Sequence, residues 1–527
     1  MSSLALVVAI GVVVLVCSGA SRRFGVAPPV LLLVSGILIG FVPALRQVHL
    51  PPEAVLLLFL PLLLYWESFT SSLREIRSNL RVIVMLSTLL VAATAAGVAV
   101  AAHAFGLPWG PAWVLGAAVA PTDATAVGVL GRILPRRLAA TLRAESLVND
   151  GTALVIYALA VGVTLGEEHV SAGRLGGMFA LSYLGGVAIG AAVTFVSVRV
   201  RRRLTDPFQH NVLAVVTPLT AYLIAELVEV SGVLAVVVAG LWVGRVSPRL
   251  FPGPARQYVR TVMSFLTALA NAALFVLVGL EAQNAVRGLS SVGLVTGAVM
   301  VAGVSAVVIA VRFGWLFTSP YVIRLVDRRE VQRDRRLGAR PRVVMAAAGF
   351  RGAVSLAAAL AVPHTLGSGE RFPDRDLIVF VTSGVIAVTL LVQAPLLPRV
   401  LRWARLGDDG AADEERRRVE IHATERALAS LPELAADRGT DDKITDQLRT
   451  EYERRLGVLR AGAGDSGGAE AAEQDRQYAD LHLAVIGHKH DTVVRMRDQG
   501  EIDDAVLVKV QNALDLEAVN LARRSGG

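Results

Sequence analysis

This chain is short of charge and nearly without cysteine. Of its 527 residues 18% are charged against 54% apolar, and Cys17 is the single cysteine. One thiol excludes an intrachain disulfide framework, and its place inside the first apolar run implies no redox compartment. The N-terminus also lacks a basic stretch ahead of that run and an A-x-A cleavage pattern. Arg22 and Arg23 follow the run instead of preceding it, which predicts an uncleaved first helix. The shortage of charge is uneven. From Ser3 to about Leu401, apolar runs of about 16–25 residues succeed one another, each long enough to span a ~30 Å hydrocarbon core. Residues 403–527 are charged and Ala-rich, with the pattern of a water-soluble segment.

Thirteen spans are expected, at roughly 3–19, 26–44, 53–69, 81–105, 109–131, 141–165, 174–198, 211–229, 231–246, 258–282, 289–318, 342–363 and 376–401. The boundary at Ser231-Gly232 rests on a very short connection, "EVSG". The net charge of +8 does not point to nucleic acid, because the arginines sit in short loops at the ends of the runs. Alternate loops carry Arg22/Arg23, Arg74/Arg77/Arg81, Arg132/Arg136/Arg137/Arg143, Arg199/Arg201/Arg202/Arg203, Arg245/Arg249/Arg256/Arg260 and the run from Arg324 to Arg342. By the positive-inside rule these loops are cytoplasmic, which puts the N-terminus outside and the tail inside a multi-pass cell-membrane protein.

Thirteen spans divide into repeats. If spans 1–6 and 8–13 are equivalent and span 7 joins them, the halves enter the membrane from opposite sides, the inverted-repeat plan of many secondary transporters. Interruptions are then expected at matching positions. Span 5 holds "AVAPTDATAVG", where Pro121 removes a backbone donor next to Thr122 and Asp123. Span 12 holds "AAAGFRGAVSLAAALAVP", where Gly349 and Gly352 flank Arg351. Fifth and twelfth are equivalent positions.

Ionisable groups inside a span are costly and functional by default. In "LRAESLVNDGTALV", Glu145, Ser146, Asn149 and Asp150 cover an arc of about 140° on a helix, so all four can face one interior cleft. Arg351 carries a fixed charge that needs a partner, and Glu145 across the repeat supplies a structural ion pair. No second basic residue inside the spans is well placed to pair with Asp150. Asp123 and Thr122, with carbonyls freed by Pro121, make an oxygen-only donor set that suits a hard cation, and the lack of Cys or His nearby argues against zinc or copper. Ser146 joins that set. Glu67 lies near the cytoplasmic end of span 3, where it either faces the cleft or is hydrated. Arg312, in span 11, either snorkels or pairs.

"ESLVNDG" (Glu145–Gly151), "APTDATAV" (Ala120–Val127), "SGVLAVVVAGLWVG" (Ser231–Gly244), "FVLVGLE" (Phe275–Glu281) and "GFRGAVSLAAAL" (Gly349–Leu360) occur in that order. Together they resemble the monovalent cation:proton antiporters (sodium/proton exchangers), in particular the bacterial NhaP-type branch with an Asn-Asp pair. The resemblance covers residues 1 to about 405. It implies a homodimer in which each protomer has a dimerisation domain and a six-helix core with two interrupted, crossing helices. It also implies that Asp150 binds cation and proton, with Asp123, Thr122 and Ser146 as co-ligands and Asn149 beside them, and that Glu145 and Arg351 stabilise the core. Relatives often read Pro-Pro-Leu-Leu-Phe-Glu in span 3. Here Tyr65 and Trp66 precede Glu67, which moves the glutamate about 100° around its helix and makes it site-adjacent.

The expected architecture is an all-α polytopic transporter domain (residues 1–402) with a helical cytoplasmic tail (403–527). The tail reads as helices at 413–435, 440–460, 470–499 and 503–522, divided by a flexible "AGAGDSGGAE" linker at Ala461–Glu470. Asp503 is expected to cap the last helix, with Val506, Val510 and Leu514 on one face; a helical hairpin, a tail–tail contact and regulation of transport are open roles. "GHKH" (Gly487–His490) reads as solvated. The activity expected is exchange of sodium (alternatively lithium or potassium) for protons, electroneutral because Asn149 cannot titrate, with no cofactor. The rivals are a cation channel on the same scaffold and an intramembrane aspartyl protease. The latter wants a Gly-x-Gly-Asp signature, whereas the aspartates here read Thr-Asp and Asn-Asp.

Overall fold

The computed structural model describes residues 2–24, 26–42, 57, 59–73, 76, 83–123, 134–166, 172–250, 253–288, 291–326, 338–366, 369–406, 411–461 and 466–499, with 501, 506, 507, 510, 511, 513–515, 517, 518 and 521 beyond them. It divides into two compact units, Met1–Asp408 and Asp409–Gly527.

The first unit consists of helices α1 (Ser2–Phe24), α2 (Pro28–Ile39), α3 (Leu60–Thr70), α4 (Met85–Ala104), α5 (Trp109–Val119), α6 (Arg136–Thr164) and α7 (Ala172–Arg201). It continues with α8 (Pro207–Leu227), α9 (Gly232–Leu250), α10 (Gly253–Gly288), α11 (Ser291–Val326), α12 (Ala339–Ala347), α13 (Ala353–Leu360) and α14 (Arg375–Ala404). Each of the thirteen expected spans contains one of these helices, and span 12 contains two. Parts of spans 2, 3, 4, 5 and 11 (residues 43–44, 53–56, 58, 81–82, 124–131 and 289–290) lie outside the described residues. Eight described helices, α4, α6 to α11 and α14, are long and apolar enough to cross a membrane. Among the described residues there is no strand, only an isolated bridge between Thr365 and Arg371.

Local sequence explains several boundaries. Pro207 occupies the first turn of α8, where its missing N–H costs nothing, and Asp206 caps that helix by accepting the Phe208 N–H at 3.0 Å. The short connection before α9 is a true break. Glu229 there adopts a left-handed conformation (φ 56°), and the Ser231 hydroxyl accepts the Leu234 N–H at 3.3 Å to start the next helix.

Helix α6 is the hub: it touches α3, α4, α5, α7, α9, α12 and α13. Around it, α2 packs on α10 and α3 on α9. Exchanging spans 1–6 with 8–13 turns the first of these contacts into the second. Both rely on glycine to bring backbones together, since lipid offers no hydrophobic drive between helices and close van der Waals contact must supply it. A Cβ on Gly279 of α10 would strike the Leu33 carbonyl of α2. On α9, a Cβ at Gly240 would strike the Tyr65 carbonyl and the Ser68 side chain, and one at Gly244 the Phe69 carbonyl. Large apolar side chains such as Leu15, Leu181, Leu184 and Phe195 point outward from α1 and α7, as expected of surfaces that meet lipid or another apolar partner.

The second unit holds α15 (Ala411–Arg438), α16 (Asp442–Ala461) and α17 (Ser466–Asp498), with α16 packed on both neighbours. Gly439 makes the first turn at φ 60°, and Asp441 caps α16 through the Lys443 N–H at 2.8 Å. The expected flexible linker is shorter than its composition implied: Ser466 to Glu470 already belong to α17. Asp503 lies outside the described residues. Among the described residues beyond it, Leu507, Leu514 and Leu521 are buried; of the expected face Leu514 is buried and Val506 is exposed. This stretch folds back on α17, with His482 Nε2 3.1 Å from Glu517 Oε1 and His490 Nε2 3.0 Å from Gln511 Nε2. His490 is therefore partnered, not merely solvated.

The α3–α9 contact predicts a graded result. Gly240→Val or Gly244→Val should destabilise the protein by ~1–3 kcal/mol through overpacking, seen as a lower unfolding temperature of the detergent-purified chain. Gly11→Val, where nothing lies within 4 Å of the added carbon, should leave that temperature unchanged.

Candidate functional site

Helix α5 stops at Val119 and Pro121 sits in the non-helical stretch that follows; α12 stops at Ala347 and α13 restarts at Ala353. The two interruptions meet. The Asp123 backbone N–H donates to the Phe350 carbonyl at 2.9 Å. The Arg351 side chain, on a residue 1% exposed, donates from Nε to the Val119 carbonyl at 2.9 Å and from Nη1 to the Gly349 carbonyl at 2.6 Å. The first is the last carbonyl of α5 and the second lies just past the end of α12, so the guanidinium sits near the negative ends of two helix dipoles in a dry interior. The Arg351 backbone N–H goes to the Thr389 hydroxyl at 3.2 Å, within a π-helical turn of α14 (Thr389–Gln393).

Arg351 therefore does not take the expected partner. Glu145 is bound by Arg312 of α11, Nη1 to Oε1 at 2.5 Å and Nη2 to Oε2 at 3.1 Å, with both side chains nearly fully buried. Arg312 also donates from Nε to the Met345 carbonyl at 3.2 Å. A Cβ at Gly349 would collide with its side chain. Arg351 remains within electrostatic reach of both Arg312 and Glu145. The one signal for Arg312 in the sequence was its position deep in a long apolar run, and that signal names no partner.

The four polar groups near the middle of α6 do not share one cleft; they divide by face. Glu145 and Asn149, four residues apart, are tied to the scaffold. Asn149 Nδ2 donates to the Thr122 hydroxyl at 2.6 Å and approaches its carbonyl at 3.3 Å, and the Thr122 hydroxyl donates to Glu145 Oε1 at 3.3 Å. Ser146 and Asp150, the other i, i+4 pair, line a cavity of about 40 Å³ together with Glu67, Thr122 and Asp123. That is room for a water or two, or for a small ion with part of its hydration. Asp123 approaches so closely that a Cβ on Gly352 would overlap its carboxylate.

Glu67 belongs to this wall despite its displaced register. Leu60, Leu63, Leu64 and Glu67 all line the cavity, and their spacing is one face of α3; the phase of that face, not the distance from the prolines, decides where the glutamate points. The charged neighbours of Asp150 are Asp123 and Glu67, and Glu67 in turn has Arg143 nearby. No lysine or arginine is among the described residues that line the cavity. Three carboxylates around so small a space favour the arrival of a positive charge, whether proton or cation. Sequence reasoning missed two polar lining residues, Asn271 of α10 and Ser355 of α13. Each is a lone polar residue in an apolar stretch, a weak signal that becomes legible only when the helices are assembled.

The profile of the family described as "Sodium/hydrogen exchanger, transmembrane" matches residues 10–403. A protein of Mycobacterium tuberculosis (strain H37Rv) named as an uncharacterized Na+/H+ exchanger is 42% identical over 520 residues, spanning 98% of this chain and 96% of the relative. The Na+/H+ antiporter ApNhaP of Aphanothece halophytica is 31% identical, over 76% of this chain and 74% of its own length. Among solved structures, the sodium proton antiporter MjNhaP1 of Methanocaldococcus jannaschii superimposes with a TM-score of 0.58 at 19% identity, over 76% of this chain and 99% of that one. That likeness is one of fold.

The hydrogen-bond pattern predicts which residues are coupled. Arg312→Ala and Glu145→Ala should each cost ~3–5 kcal/mol by stranding a buried charge. The double variant should cost much less than their sum in thermal unfolding. In the matching cycle between Glu145 and Arg351, which share electrostatic reach but no hydrogen bond, the coupling should be smaller than that between Glu145 and Arg312.

Proposed function

This chain belongs to the sodium/hydrogen exchanger family, and from that premise we propose that it exchanges sodium for protons across the cell membrane by alternating access. The supporting observation is the cavity: Asp150, Asp123 and Glu67 share it without a lysine or arginine among the described lining residues, while Glu145 is already neutralised by Arg312. An untethered carboxylate holds a proton or a cation, not both. If only a loaded site crosses between inward- and outward-facing states, exchange follows from competition alone, with no cofactor and no covalent step. Asp150 is the competition site. Asp123, Ser146 and Thr122 supply further oxygens to the cation; the Thr122 hydroxyl keeps a lone pair for this after bonding Asn149 and Glu145. Asn149 holds the α5 break against α6, and Glu67 completes the wall.

The interrupted helices belong to a six-helix core that moves against a dimerisation domain in a homodimer. Loop charge places the N-terminus outside and the tail in the cytoplasm. Potassium or lithium in place of sodium is the second reading. It is favoured by a Bacillus pumilus relative, 30% identical over 69% of this chain and 56% of its own length, that is named a sodium, potassium, lithium and rubidium/H+ antiporter.

Asp150→Asn should abolish cation-dependent proton movement in everted vesicles while leaving the unfolding temperature near wild type, because an amide keeps the size but binds neither proton nor cation alternately. Exchange persisting at the wild-type rate would refute the assignment. Titrating sodium, lithium and potassium in turn in the same vesicles identifies the ion, and flux without proton coupling would mark a channel instead.

Exchange should also be electroneutral, one cation for one proton. Asn149 cannot titrate, and Glu145 stays paired with Arg312, whose charge is fixed at physiological pH. Asp150 then carries the same charge with either substrate. The rate in liposomes should be insensitive to a potential clamped with valinomycin in sodium–proton exchange. A steep dependence would show a second titrating group, with Asp123 and Glu67 the groups to test.

A further inference from the structure

We propose that the hydroxyl of Ser355 is a ligand for the transported cation, supplied by the second half of the chain to a site whose charged groups all come from the first. The proposal rests on the cation/proton antiport reading above and goes beyond it by naming what sets affinity and the choice among monovalent cations.

Ser355 lines the cavity together with Asp123, Asp150 and Ser146. Its residue is 1% exposed and its Oγ has no hydrogen-bond partner. A buried hydroxyl in that state is costly, and such groups ordinarily find a partner. Other hydroxyls on the helices show the usual remedy: Ser68, Thr94, Thr194 and Thr267 each return a bond to the carbonyl four residues earlier, at 2.6–2.7 Å. For Ser355 that carbonyl belongs to Arg351, in the non-helical link between α12 and α13. The helix interruption thus removes the local partner and leaves the hydroxyl available at the cavity wall. The buried hydroxyls of Ser87, Ser305, Thr382 and Ser383 are also without partners, but none of those residues lines this cavity.

A neutral oxygen is suited to one of the two substrates. A hard monovalent cation gains from every oxygen around it, whereas a proton bound covalently to Asp150 gains little from a second hydroxyl. Removing the Ser355 oxygen should therefore weaken cation binding and leave proton binding alone. A purely structural serine would instead change stability or maximal rate.

The test uses the full chain in liposomes, with proton flux followed by a pH-sensitive dye at several pH values and sodium, lithium and potassium titrated separately. Ser355→Ala should raise the half-saturating concentration of the transported cation about 3- to 10-fold, the loss of one hydrogen-bond-strength contact. The maximal rate, its pH dependence and the unfolding temperature should stay near wild type, and Ser355→Thr should restore the affinity. Ser355→Cys, isosteric with a sulfur that hard cations reject, is read in the same way should the alanine variant unfold. Wild-type half-saturation for all three cations in the alanine or cysteine variant overturns the proposal, as does a fall in maximal rate alone. Asp150→Asn in the same liposomes separates the two readings. Exchange surviving there sinks the antiport site itself, whereas its loss beside an unaltered Ser355→Ala sinks only the serine ligand.

Discussion

The structure depends on the way two broken helices finish each other. A helix end in a dry interior leaves carbonyls that no water can satisfy, so an interruption deep in a membrane protein has to be paired with something. Here the guanidinium of Arg351 holds the last carbonyl of α5 and the Gly349 carbonyl just past the end of α12, and the α5 link is pinned to the α12 link by the Asp123 N–H on the Phe350 carbonyl. One buried cation answers the dipoles of two helices at once. That explains why Arg351 needs no carboxylate of its own. It also explains Gly352, whose missing Cβ leaves room for the Asp123 carboxylate, and the π-helical turn of α14 that offers Thr389 to the Arg351 backbone. Asp123 is set at the cavity by this joint rather than by any regular helix.

Helix α6 then sorts its polar groups by purpose. Glu145 and Asn149 are consumed in holding α11 and the α5 break. Ser146 and Asp150, one residue further on in each case, face the cavity. A turn of 100° per residue separates the side chains bonded to the scaffold from those that face the cavity. The separation matters for exchange, because a carboxylate locked to an arginine has no charge to offer a passing cation.

Much of the fold was legible because burial in lipid constrains sequence so strongly. Apolar run length located the helices, down to the break at Ser231-Gly232, and the matching interruptions expected in spans 5 and 12 are the two that meet beside the cavity. Asp150, Asp123, Thr122 and Ser146 were all found as cavity residues from charge and hydroxyl placement alone. Reading went wrong where a choice lay among spatial partners. Two arginines were available for Glu145, and pairing across the repeat suggested Arg351, whereas the bidentate bond is made by Arg312. In the tail, glycine-rich composition suggested a linker through Glu470, yet packing of α17 on α16 carries the helix back to Ser466.

By itself the sequence determined where helices form, which are interrupted and which positions carry unaffordable charge, because each of these follows from the local cost of apolar, polar and proline residues in hydrocarbon. The tertiary structure alone decided which arginine neutralises Glu145, on which side of α6 each polar group falls, that Glu67 reaches the cavity and that Ser355 is left without its usual carbonyl. Those outcomes depend on the rotation of each helix about its axis and on distances between residues far apart in sequence, 167 positions for the Arg312–Glu145 bond alone. Neither quantity is written in the order of residues along any one helix.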